Sequence, residues 1–417
     1  MEFKIITQDG QARLGQIETK NGIVETPSYV VVGTNGYIRT LEPDDIPKTE
    51  TQIVISNTYH LWQTLGEAGL NEFPGLHDFM GWKGLIMTDS GGFQVFNLGA
   101  ARETNSGKVA GKNHRQNPAT REHRERSSRH MTESQVRVTD SGVFFTLPSF
   151  PGKNLGGLIN EAGEEVYLDA EISMKIQEQL GADIVLAFDE PSSPNHDYTY
   201  AKKAMERTHT WAKRSLEAKI SNQKIYGIVQ GGHFEDLRKE SAKFIGSLPF
   251  DGFAIGGSFG NSFGSEKTNT FQEISWVTPF LPEGKPRHLL GIGRIEDIFK
   301  AVERGVDTMD CVIPTREARH GAIWTKDGRF DILKGKFAID DSVLVESCEC
   351  PTCEEEGVTK QKLFELFKAK NPEAGRFATM HNIFFFNDLM RQIRESIREH
   401  RFQIFEKQYL KKSASKS

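Results

Sequence analysis

Short apolar runs, rich in β-branched residues, recur along this chain, and each ends in glycine or polar residues. They are QIVISNTYH (52–60), GLIMTDSGG (84–92), DIVLAFDEP (183–191), IYGIVQGG (225–232), FDGFAIGG (250–257), RHLLGIG (287–293) and DTMDCVIPT (307–315). Runs this short and this continuously apolar suit strands buried on both faces of a parallel sheet. Helix-period segments lie between several of them. In LDAEISMKIQEQLG, residues Ile172, Ile176 and Leu180 recur every four positions. Asp169 is the expected N-cap there and Gly181 the expected C-cap. RIEDIFKAVERG repeats the design, with Ile295, Ile298, Phe299 and Val302 on one face and Gly305 closing it.

Strand and helix alternating in this way predict an α/β fold, either an open doubly wound sheet or a closed (β/α)8 TIM barrel. No G-x-G-x-x-G follows the first strand, and polar residues close many strands rather than lining one crevice, which favours the barrel. The pattern predicts a catalytic barrel over 1–340 and a small helical subdomain over 341–417, its tail frayed over 411–417. One stretch inside the barrel breaks the pattern. Residues 101–137 hold nine Lys/Arg against four Asp/Glu and no aromatic residue, so a mobile basic insertion is expected. It reads equally well as a solvated loop or as a contact for RNA phosphates.

Composition narrows the class further. With 417 residues, 37% hydrophobic and 26% charged, the chain can bury a large core. The opening MEFKIITQDGQARLG has no apolar signal core, and no apolar run reaches the roughly 18 residues that span a bilayer. A cytoplasmic protein with no membrane association is expected. A net charge of -5 decides nothing about nucleic acid, because a local basic patch can bind phosphates on an acidic protein.

The cysteines change the picture more. Three of the four fall in ESCECPTC, while Cys311 stands alone, unlike the spacing of a secreted disulfide scaffold. Cys348, Cys350 and Cys353 would supply three thiolates to a metal, with His381 the nearest downstream fourth ligand. A closed Cys3His shell leaves no open position for water, so a structural zinc is expected.

Asp89, Asp189 and Asp310 each close an apolar run, and a barrel would direct all three into one cleft. A single aspartate there reads as a strand-end cap. Three, joined by Gln230 and the paired glycines Gly256 and Gly257, read as a site in which neighbouring carboxylates have divided roles.

At this point the motifs TDSGGFQV, AFDE, GIVQGG, FDGFAIGG, DCVIPTR and CECPTC…H, in that order, resemble the tRNA-guanine transglycosylases. TPSYVVVGTNG and NTYHL extend the likeness toward the N-terminus. The resemblance implies an irregular barrel with a zinc lobe. It further implies exchange of guanine at the wobble position of tRNAs with G-U-N anticodons for a free 7-deazaguanine base. By the same resemblance Asp310 is the nucleophile, Asp89 the general acid and base, and Asp189 the reader of the purine edge. Gln230 and the Gly257 N–H would face O6, Phe93 would stack on the ring, and Thr315, Arg316 and Arg319 would hold the anticodon. Asn57 and His60 are left without a role.

Two departures stand out. Pro191 replaces a cysteine of many bacterial relatives, and Ser258 and Gly260 replace larger residues, which would leave room for queuine rather than only its aminomethyl precursor preQ1. Archaeal relatives act elsewhere on tRNA and carry an added C-terminal domain for which this chain is short, so wobble-position action is expected. The family also implies a homodimer. Competing readings are a non-catalytic tRNA-binding subunit and a zinc hydrolase acting on a nucleoside.

Overall fold

The computed structural model describes residues 1–96, 136–146, 165–193, 196–256 and 268–414. Most of the basic insertion, together with Gly257, Ser258, Gly260 and residues 415–417, lies outside them.

Eight parallel strands close a barrel: β4 (Ser28–Val32), β5 (Ile53–Ser56), β6 (Leu85–Thr88), β10 (Ile184–Leu186), β11 (Lys224–Val229), β12 (Gly252–Ile255), β13 (Arg287–Leu289) and β14 (Thr308–Asp310). β14 pairs with β4 and β6 with β10, so no edge remains among these strands. Seven of the eight coincide with the apolar runs; the eighth, β4, lies in the PSYVVVG stretch.

The continuous apolarity of the runs has a direct cause, since both faces of each strand are buried. Val30, Ile53, Ile55, Leu85, Met87, Ile184, Leu186, Tyr226, Ile228 and Ala254 fill the barrel interior. Their neighbours Val31, Val54, Ile86, Val185, Phe253, Ile255, Leu289 and Met309 join the layer under the helices. The antiparallel sheet β1 (Glu2–Asp9), β2 (Ala12–Thr19), β3 (Gly22–Thr26) covers one end, adding Ile17 and Val24 to the interior cluster.

Helices follow the strands as the pattern predicts. Asp169 accepts from the Ile172 N–H at 2.9 Å and Gly181 takes the left-handed conformation, bounding the helix Ala170–Leu180. A small antiparallel sheet, β7 (Val136–Val138), β8 (Val143–Thr146) and β9 (Glu165–Leu168), precedes that helix. Its first strand occupies the last residues of the expected insertion, where Arg137 lies over Phe144 and pairs with Glu165.

A second core gathers Ala318, Ile323, Ile332, Phe337, Leu344, Val358, Leu363, Ala374 and Phe377 around Cys350 and Cys353. It extends across position 340, because the hairpin β15 (Ala322–Thr325) and β16 (Gly328–Asp331) packs with the cysteine loop. The helix Pro372–Arg398 serves both cores. Its first turns seal the lobe, whereas Phe386, Leu389, Met390 and Ile393 pack into the barrel layer. The final helix Phe402–Ala414 enters the stretch expected to fray.

Candidate active site

Alternation along the strands carries the inward-facing register up to the mouth of the barrel. Met87 points inward and Asp89 follows two residues on; Ile228 is followed by Gln230, Ala254 by Gly256, and Thr308 by Asp310.

Asp89 is held by four donors. Thr58 N and Gly91 N reach Oδ1 at 3.0 and 3.2 Å, and Gln94 Nε2 reaches Oδ2 at 3.2 Å, beside a short bond from Asn57 Nδ2. Asn57 also N-caps the helix Thr58–Asn71, accepting from His60 N, so one residue sets both the helix start and the carboxylate. Burial pushes Asp89 up to about 7 against these donors, and the charge of Asp310 adds to the rise.

Asp189 is buried after β10, where Ser90 Oγ donates to Oδ1 at 3.1 Å and Gln230 Nε2 to Oδ2 at 2.7 Å. Burial raises it to about 6, opposed by these two donors, and the neighbouring Glu190 adds to the rise. Glu190 is fully buried, pairs with Arg207 and accepts from the Tyr200 hydroxyl. Among the described residues Gln230 Oε1 has no partner, leaving a buried acceptor beside Asp189.

Gly256 is required by close approach. A Cβ there would sit 2.4 Å from Gln230 Nε2, displacing the amide from Asp189. The fully buried Arg238 binds this rim together, donating to the carbonyls of Gly232 and Gly256 and pairing with Glu273 at 3.0 Å.

Asp310 ends β14 with its side chain 17% exposed. Gly291 N donates to Oδ1 at 3.1 Å. Just beyond it, the helix Ile313–Ala318 carries Thr315 and Arg316 and is capped by Arg319. A cavity of about 230 Å³ opens here, lined by Val32, Asn35, Tyr37, Arg39, His60, Val312, Thr315 and Arg319. Burial lowers the Arg319 pKa, and the nearby Arg39 and Arg316 lower it further. The thiol of Cys311, beside Asp310, is raised to about 11 by burial and is held protonated. Phe93, 52% exposed, stands on the helical turn at 92–96 after Asp89.

Cys348, Cys350, Cys353 and His381 converge so that their ligand atoms lie within 4.8 Å of one another. His381 Nδ1 is 3.7, 3.3 and 3.5 Å from the three sulfurs, close to the separations of about 3.5–3.8 Å that a tetrahedral ion bound at about 2.3 Å from sulfur requires. Its Nε2 donates to the Trp324 carbonyl at 2.9 Å, leaving Nδ1 as the ligand atom. These residues could hold a metal ion with no open position. The next residue, Asn382, donates to the carbonyls of Pro314 and Ala322, tying the lobe to the loop after Asp310.

Comparison with known proteins agrees with this geometry. The model of the family described as queuine tRNA-ribosyltransferase matches residues 8–121 and 113–415. The chain belongs to the queuine tRNA-ribosyltransferase family. A protein of Archaeoglobus fulgidus is 39% identical over 98% of this chain and 99% of its own length. Queuine tRNA-ribosyltransferases of Caldanaerobacter subterraneus subsp. tengcongensis and of Francisella tularensis subsp. mediasiatica are each 37% identical, covering 99% and 98% of this chain and 97% and 98% of their own. The sequence-based assignment to the tRNA-guanine transglycosylases and the barrel are thus borne out.

Within this queuine tRNA-ribosyltransferase family fold, Asp89, Asp189, Gln230, Gly256 and Asp310 share one cleft, while Gly257 lies outside the described residues. The sequence reading left out Asn57 and overlooked Gln94, Arg39, Arg238 and His288. Asn57 carried a usable signal as an N-cap before an apolar helix; Arg238 and His288 are polar residues among apolar neighbours, whose partners appear only on folding. No helix among the described residues is long and apolar enough to cross a membrane.

Proposed function

We propose that this chain exchanges guanine at the wobble position of G-U-N tRNAs for a 7-deazaguanine, queuine or preQ1, through an ester between Asp310 and the ribose. One observation carries the reading: Asp310 stands at the barrel mouth with Asp89 and Asp189 in a chain that matches this family along nearly its whole length.

Asp310 attacks C1′ as the C1′–N9 bond breaks, and the electron pair leaves with guanine, which takes a proton from Asp89. The incoming base then loses its N9 proton to Asp89 and attacks C1′, and the C1′–O pair returns to Asp310. Two displacements retain configuration. Asp89, raised to about 7, suits a group that must give and then take a proton near neutral pH.

Asp189 accepts from N1–H and the exocyclic amine of the purine, and Gln230 with the Gly257 N–H faces O6. Phe93 stacks on the ring. Gly256 leaves room for Gln230. Thr315 shapes the cavity wall, and Arg316 and Arg319 hold neighbouring nucleotides of the anticodon. Cys348, Cys350, Cys353 and His381 bind a structural zinc, and a homodimer grips one tRNA.

Exchange of radiolabelled guanine into tRNA, by wild type and by Asp310→Ala, tests the reading. Exchange by wild type alone, with a denaturation-resistant RNA adduct, is expected; no exchange by either would leave only a tRNA-binding role. Queuine and preQ1 supplied in parallel decide the base, and a strong preference for preQ1 would end the case for queuine.

A further inference from the structure

His288 lies on β13 with its side chain fully buried. Nδ1 is 2.9 Å from Thr308 Oγ1, directly across in the β13–β14 register. Nε2 is 3.3 Å from Asp310 Oδ1, yet it is not aligned as a hydrogen bond and has no other partner among the described residues. A buried imidazole nitrogen left this way costs free energy unless the site uses it.

The tautomer follows from the neighbours. A nitrogen lone pair facing a carboxylate oxygen would be repelled, so Nε2 carries a hydrogen and Thr308 donates its hydroxyl to Nδ1. Gly291 N–H already binds the same Oδ1 at 3.1 Å. Both donors therefore address one oxygen of Asp310, and among the described residues none bonds to Oδ2.

We propose that His288 is a positioning residue for Asp310: with Gly291 it holds Oδ1, so that Oδ2 is the oxygen that bonds to C1′. This rests on the nucleophile reading given above. In the ester, Oδ1 is the carbonyl oxygen and the His288 N–H remains on it. When the incoming base attacks, the C1′–Oδ2 bond breaks and its electron pair returns to the carboxylate, which the same N–H stabilises as it leaves. A modest turn of the Asp310 side chain as RNA enters brings the 3.3 Å contact into line, as hydrogen bonds at reacting centres tighten on binding. Thr308 keeps the proton on Nε2.

The test compares wild type with His288→Phe, His288→Gln and Thr308→Val in guanine exchange and single-turnover adduct formation. Melting temperature is measured for each. His288→Phe should lower kcat on the order of tenfold to a hundredfold, the worth of one hydrogen bond to a charged group, with KM for tRNA changed less than about threefold. His288→Gln keeps an N–H donor and should recover most of that loss, and Thr308→Val should fall between them. In a structure of the trapped adduct, C1′ should sit on the oxygen remote from Gly291. Unaltered kcat in His288→Phe overturns the proposal, as does C1′ on the Gly291-bound oxygen. Equal losses in the Phe and Gln variants that track their melting temperatures overturn it too, because packing alone would then be at work. Exchange abolished in Asp310→Ala but normal in His288→Phe would remove only this inference; exchange persisting in Asp310→Ala would remove the nucleophile as well.

Discussion

The barrel mouth and the cysteine lobe solve opposite problems with polar groups. In the lobe, the three cysteines come from one short loop, and His381 is aimed by a single bond to Trp324. In the cleft, Asp89, Asp189, Gln230 and Asp310 come from the ends of four strands, and each is set by partners distant in the chain. A closed set of donors around one point stabilises one geometry, whereas the cleft keeps Asp89 and Asp189 raised toward protonation by burial and leaves Asp310 partly exposed. The first arrangement favours folding and the second favours reaction.

Asp310→Asn should separate the two regions most sharply. Exchange should fall at least on the order of 10⁴-fold, as loss of a nucleophile does elsewhere, while melting temperature and metal content stay at wild-type values. A parallel loss of metal would show that the regions are not independent. Cys350→Ser should act in the reverse sense. Bound metal, measured by elemental analysis, should be lost along with several kcal/mol of stability, and activity should decline with the folded fraction through the Asn382 link to Pro314.

The third expectation concerns Asp89. Its folded pKa, raised to about 7, means that the folded state keeps a proton the unfolded chain releases near pH 4. Stability contributed by this group is therefore full below about pH 4 and lost as pH rises through about 7. Melting temperature should fall less between pH 5 and 8 in Asp89→Asn than in wild type. Single-turnover adduct formation by wild type should drop toward tenfold per pH unit above about 7, since the donor must begin protonated; a flat profile would remove Asp89 as the acid. Smallest of all, Arg316→Ala should raise KM for tRNA a few-fold and flatten its salt dependence, with kcat unchanged, because a residue that holds a neighbouring nucleotide binds without reacting.

The convergence of Cys348, Cys350, Cys353 and His381 was readable in the sequence because clustered cysteines have few other uses. The strands were readable because both of their faces are apolar. Arg238 was not, since a buried guanidinium is explained only by the carbonyls of Gly232 and Gly256 and by Glu273, which folding brings to it. That the helix Pro372–Arg398 is apolar along faces serving both cores shows only in the packed structure.

Two strands show where local information ends. DIVLAFDE and DTMD each carry aspartates at both ends. Asp183 is taken up by Asn21, His77 and the Ile86 N–H, and Asp307 by Arg13 and the Arg287 N–H, far from the cleft. Asp189 and Asp310 reach the opposite rim. Periodicity and residue type determined that strands exist here and that carboxylates bound them. Which carboxylates meet one another, and which oxygen of Asp310 receives the Gly291 N–H, was decided only when the sheet closed, because closure makes neighbours of strand ends far apart in the chain.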